Sequence, residues 1–200
     1  MRAANPELEQ KIKDTCLELL IRKEPEEISM REIAAACGVT ATTLYYYYKD
    51  KESLFETVKI DCLHGMDTYI MKKVSESYST AEQLRLMLIA FRDWALENPR
   101  IALLVMSRLK PNVTASAEKL ATYEQSTRAA KTLLDTAVAE GLSSSTDTLM
   151  DTSLCIAAVW GAVETVLLNR TVPEYWNRGR AFTDRMIDLC LSVILSGNNI

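Results

Sequence analysis

Residues 28–55 read ISMREIAAACGVTATTLYYYYKDKESLF, from Ile28 to Phe55, and three helix-start signals fall within this one stretch. Ser29-Met-Arg-Glu32 has the spacing of a capping box: a hydroxyl to accept the N3 amide and a carboxylate to return to the cap amide. Ile28 and Ile33 flank it in the positions of a hydrophobic staple. Thr40 is a good N-cap, and Val39 and Leu44 repeat the staple one helix later. Asp50 is placed to cap a third helix running through Leu54, Phe55 and Val58. Between the first two, Cys37-Gly38-Val39 supplies a glycine that reaches positive φ and so closes one helix while turning the chain.

Two short capped helices joined by a glycine turn make a helix-turn-helix. At 100° per residue, Leu44 and Tyr48 share one face of the second helix, and Ile33, Ala34 and Cys37 offer an apolar face on the first. Thr42 and Tyr46 lie opposite, flanked by Thr43 and Tyr45. One face thus locks the motif and the other presents hydroxyls and aromatic rings.

Working outward, Asn5 caps a first helix with Pro6 at its opening position and Leu8, Ile12, Cys16, Leu19 and Leu20 as its stripe. Lys23–Glu27, with Pro25, ends it. Beyond about residue 65 the periodicity lengthens. Helices are expected over Thr80–Glu97 (capped by Thr80 and Gln83), from Pro99 through Arg108, over Ala115–Glu140 stopped by Gly141, and over Asp147–Asn169. A last one lies within Pro173–Leu195, closed by Ser196-Gly197-Asn198. The fold class is all-α: an N-terminal three-helix helix-turn-helix domain (1–60) and a C-terminal helical ligand-binding and dimerisation domain (61–200).

The 200 residues are 48% hydrophobic and 25% charged, too apolar for a disordered chain. Six glycines and five prolines are too few for a turn-rich β fold. The longest apolar stretch, Leu154–Leu168, contains Glu164 and falls short of the ~18 apolar residues of a membrane span, and the N-terminus lacks an apolar signal core. Five scattered cysteines without CxxC spacing read as buried thiols in a reducing cytoplasm. No metal cluster, phosphate-binding or dinucleotide glycine loop is present, and the single histidine, His64, has no evident catalytic partner. No cofactor is expected, and the chain does not read as an enzyme.

Charge is the dissonant note. The net charge is −4, and residues 1–60 hold nine Lys/Arg against eleven Asp/Glu. Any affinity for nucleic acid must come from local placement, not from a basic field.

The same 28–55 stretch resembles the DNA-binding segment of TetR-family transcriptional regulators, in the framework IA, A, GV, TLY, Y, K and LF. The resemblance covers about the first third of the chain; the remainder agrees in length and helical texture. It implies a homodimer on a palindromic double-stranded DNA operator, acting as a repressor and modulated by a small-molecule effector. Carried over by residue, it puts Ser29 and Arg31 near the DNA backbone and Thr40, Thr42 and Thr43 at the start of the recognition helix. It makes Tyr45 a phosphate contact, sets Tyr46 and Tyr47 within reach of bases or backbone, and gives Lys51 a phosphate at the next helix start. Tyr48 stands where the family has a core ring. Ala41 and the threonines supply no Arg or Gln for bidentate base contacts, so readout leans on thymine methyls, tyrosine hydroxyls and DNA shape. The alternative is a helical ligand-binding or interaction module whose helix-turn-helix no longer binds DNA.

In the C-terminal domain, Asp147–Asn169 and the last helix are apolar around much of their circumference, as expected of helices buried both internally and against a second copy. In TetR-like proteins the last two helices form the dimer's four-helix bundle. Met87, Phe91, Trp94, Met106, Tyr123 and Trp160 are candidate lining residues of a ligand pocket, each open to a plain core role. Glu164 is either an anchor for a cationic ligand or the partner of an arginine such as Arg170.

Overall fold

The computed structural model describes residues 5–106 and 117–195, without the side chains of 117–124 and of Trp176. Among the described residues there are nine α-helices and no strand. They fall into two compact units, residues 1–63 with 104–107, and residues 64–103 with 108–200.

The first unit is built from α1 (Pro6–Arg22), α2 (Met30–Cys37), α3 (Ala41–Tyr47) and the opening half of α4 (Lys51–Lys73). Asn5 caps α1, its Oδ1 accepting from the amides of Glu7 and Leu8 at 3.0 and 3.5 Å. After α1 a short 3₁₀ turn, Pro25–Glu27, reverses the chain into Ser29. The Ser29 hydroxyl accepts from Glu32 N at 3.2 Å, worth about 0.5–2 kcal/mol. The return half of the expected capping box does not form. The Glu32 carboxylate is taken by Lys23 Nζ at 2.6 Å, whose bond holds that acid below its usual range.

Gly38 sits at φ +72° and ends α2 in the left-handed region, its amide returning to the Ala34 and Ala35 carbonyls. Thr40 caps α3, accepting from Thr43 N at 3.2 Å. Asp50 Oδ1 accepts from Ser53 N at 2.8 Å at the start of α4. Inside, Ile12, Cys16, Ile28, Ile33, Cys37, Leu44, Leu54 and Val58 are all at most 2% exposed. Both leading staple residues, Ile28 and Ile33, are therefore fully removed from water. Each such aliphatic side chain contributes about 1.5–3 kcal/mol of transfer free energy, which is what holds the two short helices α2 and α3, too short to persist alone.

The second unit holds the rest of α4, α5 (Thr80–Glu97), the start of α6 (Pro99–Met106), α7 (Ala117–Ala139), α8 (Thr148–Leu167) and α9 (Gly179–Ile194). The cap of α5 is Ser79, not Thr80: Ser79 Oγ accepts from Glu82 N and the Glu82 carboxylate returns to Ser79 N at 3.1 Å. Thr80 is instead buried at the first helical position. Gly141, at φ +73°, closes the α7 end. The expected beginning of α7 at Ala115 and the closing Ser196-Gly197-Asn198 lie outside the described residues, as does Arg108.

α5 packs on α7, α8 and α9, and α8 on α7 and α9. A buried arginine ties α5 to α9. Arg92 donates to Asp93 and Asp184 at 2.6 Å and to Thr183 Oγ1 at 3.1 Å, so its charge is matched on both sides. The 3₁₀ turn Pro173–Arg178 precedes α9. At Gly179 a Cβ would stand 2.6 Å from Val166 Cγ1, so only glycine lets the α9 start seat against the end of α8.

By length and composition α8 is apolar enough to cross a membrane, although the sequence suggested no such stretch; 28% of that window is buried within the chain. Its uncovered side carries Leu149, Met150 and Leu154, and α9 exposes Leu189 and Val193.

Candidate nucleic-acid interface and ligand cavity

The recognition helix emerges from the physics of its caps. Leu44 is fully buried and Tyr48, the residue that ends α3, is 6% exposed, so the inner face is fixed in the core. Burial, with Glu9 and Asp61 nearby, pushes the Tyr48 phenol well above its ordinary range. It stays a neutral ring.

The outer face sorts the expected contacts into two sets. Tyr45 and Tyr46 are 53% and 58% exposed, and Thr42, Ser29 and Arg31 are exposed beside them. Tyr46 lines a groove of about 530 Å³ with Asn5, Leu8, Thr40, Thr42, Thr43 and Tyr47. Four other side chains are committed within the unit. The Thr40 hydroxyl serves the cap and lies 2.9 Å from that of Thr43. Tyr47 is half-buried, packs edge-on against Tyr46 at 5.3 Å, and its hydroxyl accepts the Asn5 amide at 3.0 Å. Lys51 donates to the carbonyls of Pro25 and Ile28 at 2.9 and 3.0 Å and lies over the Phe55 ring.

Lys51 is therefore engaged by the loop ahead of α2: it shares the Pro25 carbonyl with the Ile28 amide and supplies a donor to the Ile28 carbonyl, which leaves one ammonium N–H uncommitted by these two bonds. An exposed cation that sequence reasoning passed over stands two residues earlier, Lys49 between α3 and α4. Its signal was only its position in a turn.

In the second unit, α4, α5, α7 and α8 enclose a small cavity. Its volume is about 50 Å³, and Met66, Ile70, Met87, Phe91, Ser126 and Trp160 are among its walls. Phe91 and Trp160 stack at 5.5 Å with their planes 22° apart. Three candidates of the sequence reading thus converge: Met87, Phe91 and Trp160. Trp94 is buried but not part of these walls. Met106 belongs to the first unit. The Tyr123 side chain lies outside the described residues. Glu164 stands 4.0 Å from Arg170 and is not among the cavity walls.

A capped helix pair with a rigid inner face and an outward face of threonine and tyrosine, ahead of an all-helical second unit, defines a helix-turn-helix protein. Residues 12–58 match the family described as bacterial regulatory proteins, tetR family. Over 92 residues the chain is 28% identical to an uncharacterized helix-turn-helix-type transcriptional regulator of Mycobacterium tuberculosis, a match covering 46% of each chain. The alignment thus spans about half the length of that relative. Among solved structures, a TetR-family transcription regulator from Shewanella sp. PV-4 has a TM-score of 0.72 at 19% identity, covering 92% of this chain and 96% of its own. A regulatory protein of the same family from Rhodococcus RHA1 has a TM-score of 0.70 at 19% identity, covering 94% and 96%. Residues 12–58 thus carry the helix-turn-helix segment described for TetR-family regulators, and the described fold is that of solved proteins of this family.

Proposed function

We propose that this protein is a cytoplasmic repressor that binds a palindromic operator as a homodimer and leaves it when a small molecule occupies the second unit. The observation that carries the DNA reading is the separation of faces on α3: Leu44 and Tyr48 held inside, Thr42, Tyr45 and Tyr46 presented outside. Arg31 and Lys49 are the exposed cations for phosphates, Ser29 reaches them from its place as the α2 cap, and Tyr45 also suits a phosphate. Thr42 and Tyr46 are the readers of base edges, with thymine methyls and groove shape taking the place of bidentate contacts. Thr40, Thr43, Tyr47 and Lys51 position that face. In a dimer the two recognition helices would sit about one DNA turn apart, ~34–36 Å.

The dimer reading rests on the uncovered apolar side chains of α8 and α9. Leu154 is 59% and Val193 74% exposed, an arrangement that a second copy would cover. Val193→Glu together with Leu154→Glu is expected to give a monomer in sedimentation and to abolish operator binding. An effector that prefers one conformation of the second unit would shift the population of operator-binding dimers.

Footprinting on the DNA flanking the gene tests the whole reading. A protected inverted repeat is expected, with Tyr46→Ala lowering affinity for it but not the melting temperature. Absence of any preferred site at low salt would favour the other reading, a ligand-binding helical protein with a silent head, which the nine-to-eleven charge balance of residues 1–60 supports.

A further inference from the structure

Asp67, in the second half of α4, is 5% exposed, and neither carboxylate oxygen has a hydrogen-bond partner. A buried acid without a donor is costly, and native chains keep few of them. Burial raises its pKa; the Ser126 hydroxyl on α7 and the His64 imidazole one turn back pull it down only in part.

Its surroundings differ on two sides. On one, Asp67 lines an open cleft of about 380 Å³ with His64, Thr68, Met71, Lys72 and Gln125. Lys72 lines that cleft without forming an ion pair with Asp67 among the described residues. On the other side, its neighbours Met66 and Ile70 and the facing Ser126 wall the apolar cavity that ends on the Phe91–Trp160 stack. Cleft and cavity both lie along α4 and α7: Asp67 lines the cleft, and its helix neighbours Met66 and Ile70 line the cavity. An orphaned acceptor beside an apolar cavity is half of a recognition site for a donor-bearing cation.

We propose that Asp67 anchors the effector, and that the effector is an organic cation carrying N–H donors on an apolar body. This rests on the reading of the second unit as the effector domain. The N–H bonds would satisfy the two carboxylate oxygens, and the body would enter between Met66, Met87, Phe91 and Trp160. A cavity of about 50 Å³ holds little more than a water or two, ~30 Å³ each. The body must therefore open it, and the unbranched methionines are the side chains that give way. Opening displaces α4, a helix that continues into the first unit and begins just after α3.

The test compares octylammonium, octyltrimethylammonium, 1-octanol and octanoate by calorimetry on the full chain and on Asp67→Asn, with operator release followed in parallel. Octylammonium is expected to bind the native protein roughly ten- to hundredfold more tightly than octanol. The trimethyl compound, lacking N–H donors, should fall between them and octanoate should bind worst. Asp67→Asn should erase the preference while keeping octanol affinity, and should raise Tm, because it removes an unsatisfied charge. A lowered Tm, a preference that survives in Asp67→Asn, or octanol or octanoate matching octylammonium overturns the anchor. If octanol releases the operator with no Asp67-dependent preference, the effector reading stands and the anchor alone falls. Should octylammonium bind through Asp67 without releasing the operator, the anchor stands and the effector reading falls. If no compound binds the native protein, both fall.

Discussion

The two units differ in how their polar groups are accounted for. In the first, the helix caps are matched locally: Ser29 to Glu32 N, Thr40 to Thr43 N, and Asp50 to Ser53 N. In the second, the polar groups pair over long sequence distances, as Arg92 does with Asp184, or do not pair, as with Asp67. The helix ends of the first unit are set by neighbours in sequence. Buried polar atoms without a partner occur in both units, Tyr48 and Glu56 in the first and Asp67 and Thr152 in the second, but the second also carries the uncovered apolar faces of α8 and α9.

The largest expected effect probes the locked inner face of the first unit. Tyr48→Ala should cost about 3–5 kcal/mol in urea unfolding, because a buried ring is replaced by a void. Tyr46→Ala should leave stability within about 0.5 kcal/mol. Equal losses would show that the two faces of α3 are not separated.

Next comes Lys51. Lys51→Met is expected to cost about 1–3 kcal/mol by leaving the Ile28 carbonyl without its ammonium donor and the Pro25 carbonyl with the Ile28 amide alone. It should not change the salt dependence of operator binding, whereas Arg31→Ala and Lys49→Ala should each lower the slope of log K against log salt by about one. A reduced slope in Lys51→Met would return that lysine to the phosphate backbone.

Gly38→Ala is a smaller perturbation, about 1–2 kcal/mol, from the left-handed φ of +72° alone. No atom lies within 4 Å of the added carbon, so packing adds nothing. The same exchange at Gly179 is different in kind, since its cost is a collision with Val166.

The smallest expected effect is an absence of reaction in both units. Burial pushes the Cys16 and Cys155 thiols up to about 12 and Cys62 up to about 11. Native-state labelling at pH 8 should therefore be slow at all three and become fast only in denaturant. The sign of the linkage follows: the folded state holds these protons more tightly, so stability is full below the ordinary thiol value of 9.0 and declines as pH rises through it. Rapid labelling of one cysteine under native conditions would mark a local opening.

Local signals made the first unit readable in advance. Asn5, Ser29, Gly38, Thr40 and Asp50 each carry a backbone requirement that residue type alone reveals, and all five occupy the expected places. What failed there was competition between partners. Glu32 had two options, the Ser29 amide or Lys23, and only the folded approach of the α1 end decides between them. The same is true of Lys51, whose acceptors lie 23 and 26 residues away. In the second unit, helix order was legible, but Ser79 won the α5 cap from Thr80 because its neighbour three on, Glu82, closes the reciprocal bond. Asp67 gave no signal at all. Between Met66 and Thr68 on a helix it reads as a surface acid, and its burial arises with tertiary packing.

The seat of Gly179 on Val166 has a consequence for assembly. With a Val166 methyl where a Cβ on Gly179 would stand, the end of α8 and the start of α9 are closely seated. The two helices would meet a second copy as one stiff slab. Association would then cost side-chain ordering but no helix docking, and should proceed without a slow conformational phase. A larger residue at this position would press on Val166 within the folded chain and, through it, loosen the surface offered to a second copy.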